Sequence, residues 1–258
     1  MHWNPPKENS LSRNFEVLQR ASREGRQRRD ATPQPPVGRT YEMRPVPDAH
    51  VLSREKLMKL VQTVFFRPGE EARRVVVFAG AVAGAGCSSI CVGAAEALAA
   101  QVEEPVCLVD SNLRLPSLHV CLGVENHTGF SEALLSGGSI RKYVHKLSTP
   151  NLWFLPSGHN SSPMAGVTSS SRLASRIVEL RREFRYALMD SPPVNVYSDA
   201  LPLVQAADGV ILVVSANSTR RDAAFKAKAC FESAGANLLG VVLNNRTYPI
   251  PQAIFERL

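Results

Sequence analysis

Downstream of Arg74 the chain alternates short runs of β-branched and apolar residues with longer segments in which apolar positions recur at helical spacing. The runs at residues 74–80 (RVVVFAG), 105–110 (PVCLVD), 152–157 (LWFLPS), 186–190 (YALMD), 209–216 (GVILVVSA) and 238–244 (LLGVVLN) predict six strands. They are apolar almost without interruption, which predicts a sheet covered on both faces, as parallel sheets are. Helices are expected between them at residues 90–101, 129–137, 170–184, 198–206 and 220–235, most with a small or polar start and a glycine or charge at the end. Strand alternating with helix is the signature of βα units around a parallel sheet.

Two further helices are expected earlier. Residues 53–66 place Leu57, Leu60, Val61 and Val64 on one face, with Pro68 and Gly69 as a stop, and predict a helix packed on the main domain. Residues 10–27 place Phe15, Leu18 and Ala21 at helical spacing behind a serine able to cap them. The proline-rich stretch 32–40 (TPQPPVGRT) reads as an extended linker. The expected organisation is therefore an N-terminal helix and linker over 1–50 and one α/β domain over 51–258, a division the 258-residue length accommodates.

Composition narrows this picture only a little. With 44% hydrophobic and 21% charged residues the chain is globular in type. No run reaches the roughly 18 to 20 apolar residues of a membrane-spanning helix, and the start lacks the apolar stretch of a secretion signal, so a cytoplasmic location is expected. The net charge of +7 favours anionic partners without choosing among them. Arginines gather at residues 23–29 without interleaved aromatics, which speaks for a solvated helix end and against a single-strand nucleic-acid groove. The five cysteines are odd in number, mostly within apolar stretches, and read as reduced core residues.

Chemistry enters directly after the first strand, where AVAGAGCSSI leads into a helix with Gly84, Gly86, Ser88 and Ser89. Glycines let backbone N–H groups turn toward an anion, a helix N-terminus adds positive potential, and a hydroxyl just beyond can ligate magnesium. A phosphate loop carries lysine where this chain has Cys87. A thiol brings no charge to the β and γ phosphates, and at a helix start its pKa is expected to fall, which would set a thiolate against phosphate. Two acids, Asp110 in VDSNLRLPSLH and Asp190 in MDSPPV, end the second and fourth predicted strands, at the sheet edge where open α/β proteins bind ligands. Each is a candidate to hold a magnesium-bound water or orient an attacking group; one aspartate alone would read as a loop cap, but two flanking a glycine loop favour a nucleotide site, relic or working. Cys87 and Cys91 offer only half of a tetrahedral zinc site and read as packing residues. His119 and His127 are expected in loops without a nucleophile nearby.

GAGCSS, VDSNLRLPSLHVCLGV, TGFSEALLSG, LPSG, ALMDSPPVNVYSDALPLVQAADGVILVV and LLGVVLNN together resemble, in order and spacing, the bacterial tyrosine kinases of the CpsD/CapB type, which share the fold of ParA/MinD ATPases. The resemblance covers most of the chain and implies a P-loop NTPase-like three-layer α/β sandwich. It further implies that Gly84, Gly86, Cys87, Ser88 and Ser89 form the phosphate loop for ATP, that Asp110 and Asp190 are catalytic acids sharing Mg2+ with Ser88, and that Asn244 contacts adenine.

The chain departs from the family pattern at four points. Cys87 replaces the loop lysine, and Asn112 replaces the second acid of the DxD pattern. In the helix that carries an ExxRxxR oligomer contact, Met58 and Val61 stand where arginines belong, and Tyr248 is the only tyrosine after Tyr197, in place of a C-terminal cluster. The expected function is thus that of a kinase-like nucleotide-binding protein without kinase activity, regulating exopolysaccharide biosynthesis or export. The partners implied are a membrane polysaccharide co-polymerase or export component, which would bring the protein to the inner membrane, and further copies of the chain; no nucleic acid is expected. Two other readings stay open: an active ATPase or kinase in which Arg114, Arg220 or Arg221 supplies the missing charge, and a scaffold that binds no nucleotide.

Overall fold

Seven strands form one sheet in the order β3-β4-β2-β5-β1-β6-β7. The strands are β1 Val75–Gly80, β2 Val106–Asp110, β3 His145–Lys146, β4 Leu152–Leu155, β5 Tyr186–Ser191, β6 Gly209–Ser215 and β7 Leu238–Asn244. Every pairing is parallel except that of β3 with β4. The computed structural model describes residues 52–66, 73–136, 138–159, 170–216 and 218–246. The expected N-terminal helix, the linker, the arginine run and Tyr248 all lie outside the described residues.

The sheet is buried on both faces because its strands are apolar on both. Val76, Phe78, Leu108, Leu188 and Ile211 face one hydrophobic cluster, while Val75, Val77, Val109, Met189 and Leu212 face another. The first cluster is closed by α1 (Arg54–Phe65), α2 (Cys87–Ala99) and the short α3 (Leu118–Leu122). The second is closed by α4 (Phe130–Leu135), α5 (Ser170–Glu183), α6 (Ala200–Ala206) and α7 (Arg221–Ser233). The result is the expected three-layer sandwich.

Helix α1 packs on the sandwich through Leu57, Val61, Val64 and Phe65, with Phe65 edge-on to Tyr186 at 5.5 Å between ring centroids. Met58 is partly buried and Val61 is fully buried, so apolar packing occupies the positions where the kinase pattern has arginines. At the opposite end of the sheet from the glycine loop, Asp208 joins three elements. Its Oδ2 accepts from the backbone N–H of Arg74 at 2.7 Å and of Val75 at 2.8 Å, and Arg181 Nη1 donates to both its oxygens at 2.7 Å.

Several expected boundaries move. The helix after β1 begins at Cys87 and not at Ile90, because Gly86 takes the left-handed conformation as its N-cap and the small residues Cys87, Ser88 and Ser89 make the first turn. The edge strand β3, α3 and a 3₁₀ turn at Ile140–Tyr143 are additional elements, each too short to show a hydrophobic period. His119 therefore sits on α3 and not in a loop.

Candidate functional site

The strand order places β5 between β2 and β1, so the ends of β2 and β5 and the loop after β1 open on the same edge. Asp110 and Asp190 are register partners on β2 and β5, and Asp190 is also the partner of Phe78, two residues before the end of β1. Ser88, in the first turn of α2, donates its hydroxyl to Asp190 Oδ2 at 2.6 Å. Gly86, Ser88, Asp110 and Asp190 are thus brought to one place, as the sequence suggests.

The loop itself is shaped by two glycines with positive φ, 76° at Gly84 and 81° at Gly86. Only glycine adopts this region without strain. Gly86 has a second constraint, since a Cβ there would overlap the Asn244 side-chain amide. That amide donates from Nδ2 to the Ala85 carbonyl at 3.1 Å. Asn244 is 2% exposed and braces the loop through this bond.

In front of the loop lies a cavity of about 220 Å³ lined by Gly80, Val82 to Ser89, Asn112, Leu115, Ser191 and Pro193. Among the described residues no charged side chain lines it. Among the three arginines considered as substitutes for lysine, Arg114 is paired with Asp199 at 2.6 Å, Arg220 with Asp222 at 3.1 Å, and Arg221 stacks over Phe225 at 5.4 Å. The geometry therefore gives no support to a compensating arginine.

Cys87 lines the cavity, with its thiol packed inward against Asp190. Burial, then the charge of Asp190, push the thiol well above its ordinary range, so it is a neutral S–H at physiological pH. The expected fall in pKa at a helix start does not occur, because desolvation and a neighbouring carboxylate outweigh the helix dipole. Asp190 is fully buried, and burial raises its carboxyl to about 6 against the hydrogen bonds from Ser88 and Cys87. Its Oδ1 has no hydrogen-bond partner among the described residues.

Asp110 makes the contacts of a loop cap. Its two oxygens accept from the backbone N–H of Asn112 and of Leu118, each at 3.2 Å, and so cap the turn that follows β2. Burial, then the charge of Asp190, lift its carboxyl to about 8. Asn112, not Asp110, is the residue of this pair that reaches the cavity. The sequence did not single out Ser111, whose hydroxyl donates to the Asp190 carbonyl at 2.6 Å and ties the ends of β2 and β5 together. A serine after the acid was its only signal.

Among the described residues no three His, Cys, Asp or Glu side chains are placed to hold a metal by themselves, and no helix is long and apolar enough to cross a membrane. All five cysteines are free.

Known proteins agree with this architecture. The chain is 28% identical over 195 residues to the tyrosine-protein kinase YwqD of Bacillus subtilis, covering 76% of the chain and 82% of that kinase. It is 28% identical over 116 residues to the tyrosine-protein kinase CpsD of Streptococcus agalactiae, a match spanning 45% of the chain and half the length of that relative. The crystal structure of the chimerical protein CapA2B2 superposes with a TM-score of 0.71 at 26% identity, over 81% of this chain and 94% of that one. The septum site-determining protein MinD of Pyrococcus horikoshii, solved with Mg-ADP, shares the fold at 21% identity and a TM-score of 0.55, over 66% of this chain and 69% of that one. The family described as cellulose biosynthesis protein BcsQ matches residues 73–226, from the start of the sheet into α7. With its glycine loop between β1 and α2 and its parallel sheet, the chain belongs to that family, is similar in sequence to bacterial tyrosine kinases and shares the fold of MinD-like P-loop proteins.

Proposed function

We propose that the protein binds a nucleoside triphosphate with magnesium at the glycine loop, transfers no phosphate, and acts as a regulatory component of bacterial exopolysaccharide synthesis or export. The observation that carries this reading is a formed glycine loop, with two left-handed glycines and a 13-residue helix starting at its rim, whose lining among the described residues contains no cation. The backbone N–H groups of the loop and of the start of α2 suit phosphate oxygens. Ser88 Oγ and Asp190 suit a hard cation that takes its remaining oxygens from phosphate and water. When bound, such a cation would screen the negative charge that the absent lysine leaves uncovered.

The neutral Cys87 thiol neither attracts nor repels phosphate, so affinity rests on backbone dipoles and the cation alone. Phosphoryl transfer, in contrast, needs charge stabilisation on the β and γ oxygens. This separation of binding from chemistry supports a regulator. The relatives' names, a cellulose biosynthesis protein and tyrosine-protein kinases, support a place in polysaccharide assembly, with a membrane co-polymerase or export component as partner.

A fluorescent ATP analogue titrated with and without magnesium tests the reading. Saturable, magnesium-dependent binding without turnover is expected, and Cys87→Lys should tighten it by about tenfold or more, the worth of one charge-assisted hydrogen bond. Turnover by the unaltered protein, retained in Cys87→Ala, would refute it. Absence of saturable binding in both forms would leave the scaffold reading, which the capping role of Asp110 favours.

A further inference from the structure

Two loops form the outer wall of the cavity. The one after β2 contributes Asn112 and Leu115, and the one after β5 contributes Pro193 and ends at Asp199, just before α6. The first loop is pinned at both ends by Asp110, through the N–H groups of Asn112 and Leu118. Its tip is exposed, with Leu115 at 61%. Between Asn112 and Leu115 stands Arg114, whose Nε donates to Asp199 Oδ2 at 2.6 Å and whose guanidinium lies over the Tyr197 ring at 5.4 Å. Asp199 is 6% exposed and is followed by a helix anchored in the core through Leu203 and Val204. Among the described residues this is the ion pair that joins the two loops.

We propose that Arg114, through its ion pair with Asp199 and its stacking on Tyr197, is a positioning residue that holds the loop after β2 against the loop after β5 and so sets how far the cavity opens. The inference deepens the proposed function and rests on it only for the identity of the ligand. Arg114 does not line the cavity, so its removal leaves the cavity lining in place but frees the tip that carries Leu115. Asp199 is the anchored half of the pair and Arg114 the half that moves with the loop. Entry and departure of a ligand then require the pair to part, and both rates are governed by it.

Cys87, lining the same cavity, reports opening without any nucleotide. The full-length protein and its Arg114→Ala, Arg114→Lys and Asp199→Asn variants are treated with a maleimide, and modification at Cys87 is followed by peptide mass spectrometry, with fully buried Cys107 as the reference for unfolding. Arg114→Ala and Asp199→Asn should each speed Cys87 modification by about two- to fivefold, the range open to one partly exposed ion pair. Arg114→Lys, which can keep the pair, should return it most of the way. Association and dissociation rates of the fluorescent ATP analogue should rise together in the same two variants. Unchanged Cys87 modification in both would overturn the proposal. So would opposite effects on nucleotide affinity, weaker in Arg114→Ala and tighter in Asp199→Asn, because these would make Arg114 a phosphate-binding cation parked on Asp199. If Cys87 responds as expected while no variant binds nucleotide, the positioning role stands and the nucleotide reading fails.

Discussion

Gly86→Ala isolates the most constrained point of the loop. Any L residue at φ 81° carries about 1–2 kcal/mol of backbone strain, offset by about 0.4–1 kcal/mol because alanine narrows the unfolded ensemble. Gly84, with φ 76° and nothing within 4 Å of an added Cβ, should feel that balance alone, so Gly84→Ala should cost about 1 kcal/mol. At Gly86 the new methyl group also displaces the Asn244 amide. That breaks the 3.1 Å bond to the Ala85 carbonyl and leaves a buried amide short of a partner, a further cost of about 1–3 kcal/mol. Gly86→Ala should therefore total about 3 kcal/mol and lower Tm by about 6–12 °C for a folded unit of this size. Urea unfolding of the two variants, beside Asn244→Ala and Gly86→Ala/Asn244→Ala, measures each part. The double variant should lose less than the sum of the single ones, because the overlap disappears with the amide. Equal costs at Gly84 and Gly86, or strict additivity with Asn244→Ala, would refute the view that Asn244 braces the loop.

Phe78→Ala removes a fully buried ring from the middle of β1 and should cost about 3–5 kcal/mol in urea unfolding, more than either glycine change. Asp208→Asn should lose about 1–2 kcal/mol by weakening the junction with Arg181 and the N–H groups of Arg74 and Val75, read as a fall in Tm. The same group predicts a pH dependence. Burial raises the Asp208 carboxyl, but hydrogen bonds from Val75, Arg181 and Arg74 outweigh it and hold the group below its ordinary value. Its contribution is thus complete above pH of about 4 and is lost as pH falls through the lower folded value. Stability curves of the unaltered protein and Asp208→Asn should accordingly converge in acid.

The sheet was largely legible because its strands are short, apolar on both faces and separated by helix-length segments, and β7 falls on its expected bounds. The glycine loop was legible because left-handed backbone at a strand-to-helix turn leaves few alternatives to glycine. What escaped has a common physical reason. Residues 145 and 146 read as His-Lys, carry no hydrophobic signal, and become β3 only because β4 offers a free edge. Whether an aspartate at a strand end faces a ligand or caps the next turn depends on where Leu118 brings its N–H, a tertiary fact absent from the motif. The protonation of Cys87 departs from what its local context, a helix start, dictates because burial beside Asp190 overrides it, which only the strand order β2-β5-β1 reveals.

That same strand order explains why the loss of lysine need not unmake the site. A lysine at position 87 would face Asp190, a buried carboxylate whose charge is costly without a partner. Asp190 instead leans on the Ser88 hydroxyl and on a thiol that stays neutral, and burial raises its pKa to about 6, so its charge is held by these bonds near neutral pH and taken up by a proton only in mild acid. The cradle depends on none of this, since its form comes from Gly84, Gly86 and the Asn244 brace, which are indifferent to charge at Cys87. Shape and charge are thus supplied by different residues. A change at position 87 can remove the second and leave the first, and it is this independence that lets a phosphate-shaped loop persist in a chain without its lysine.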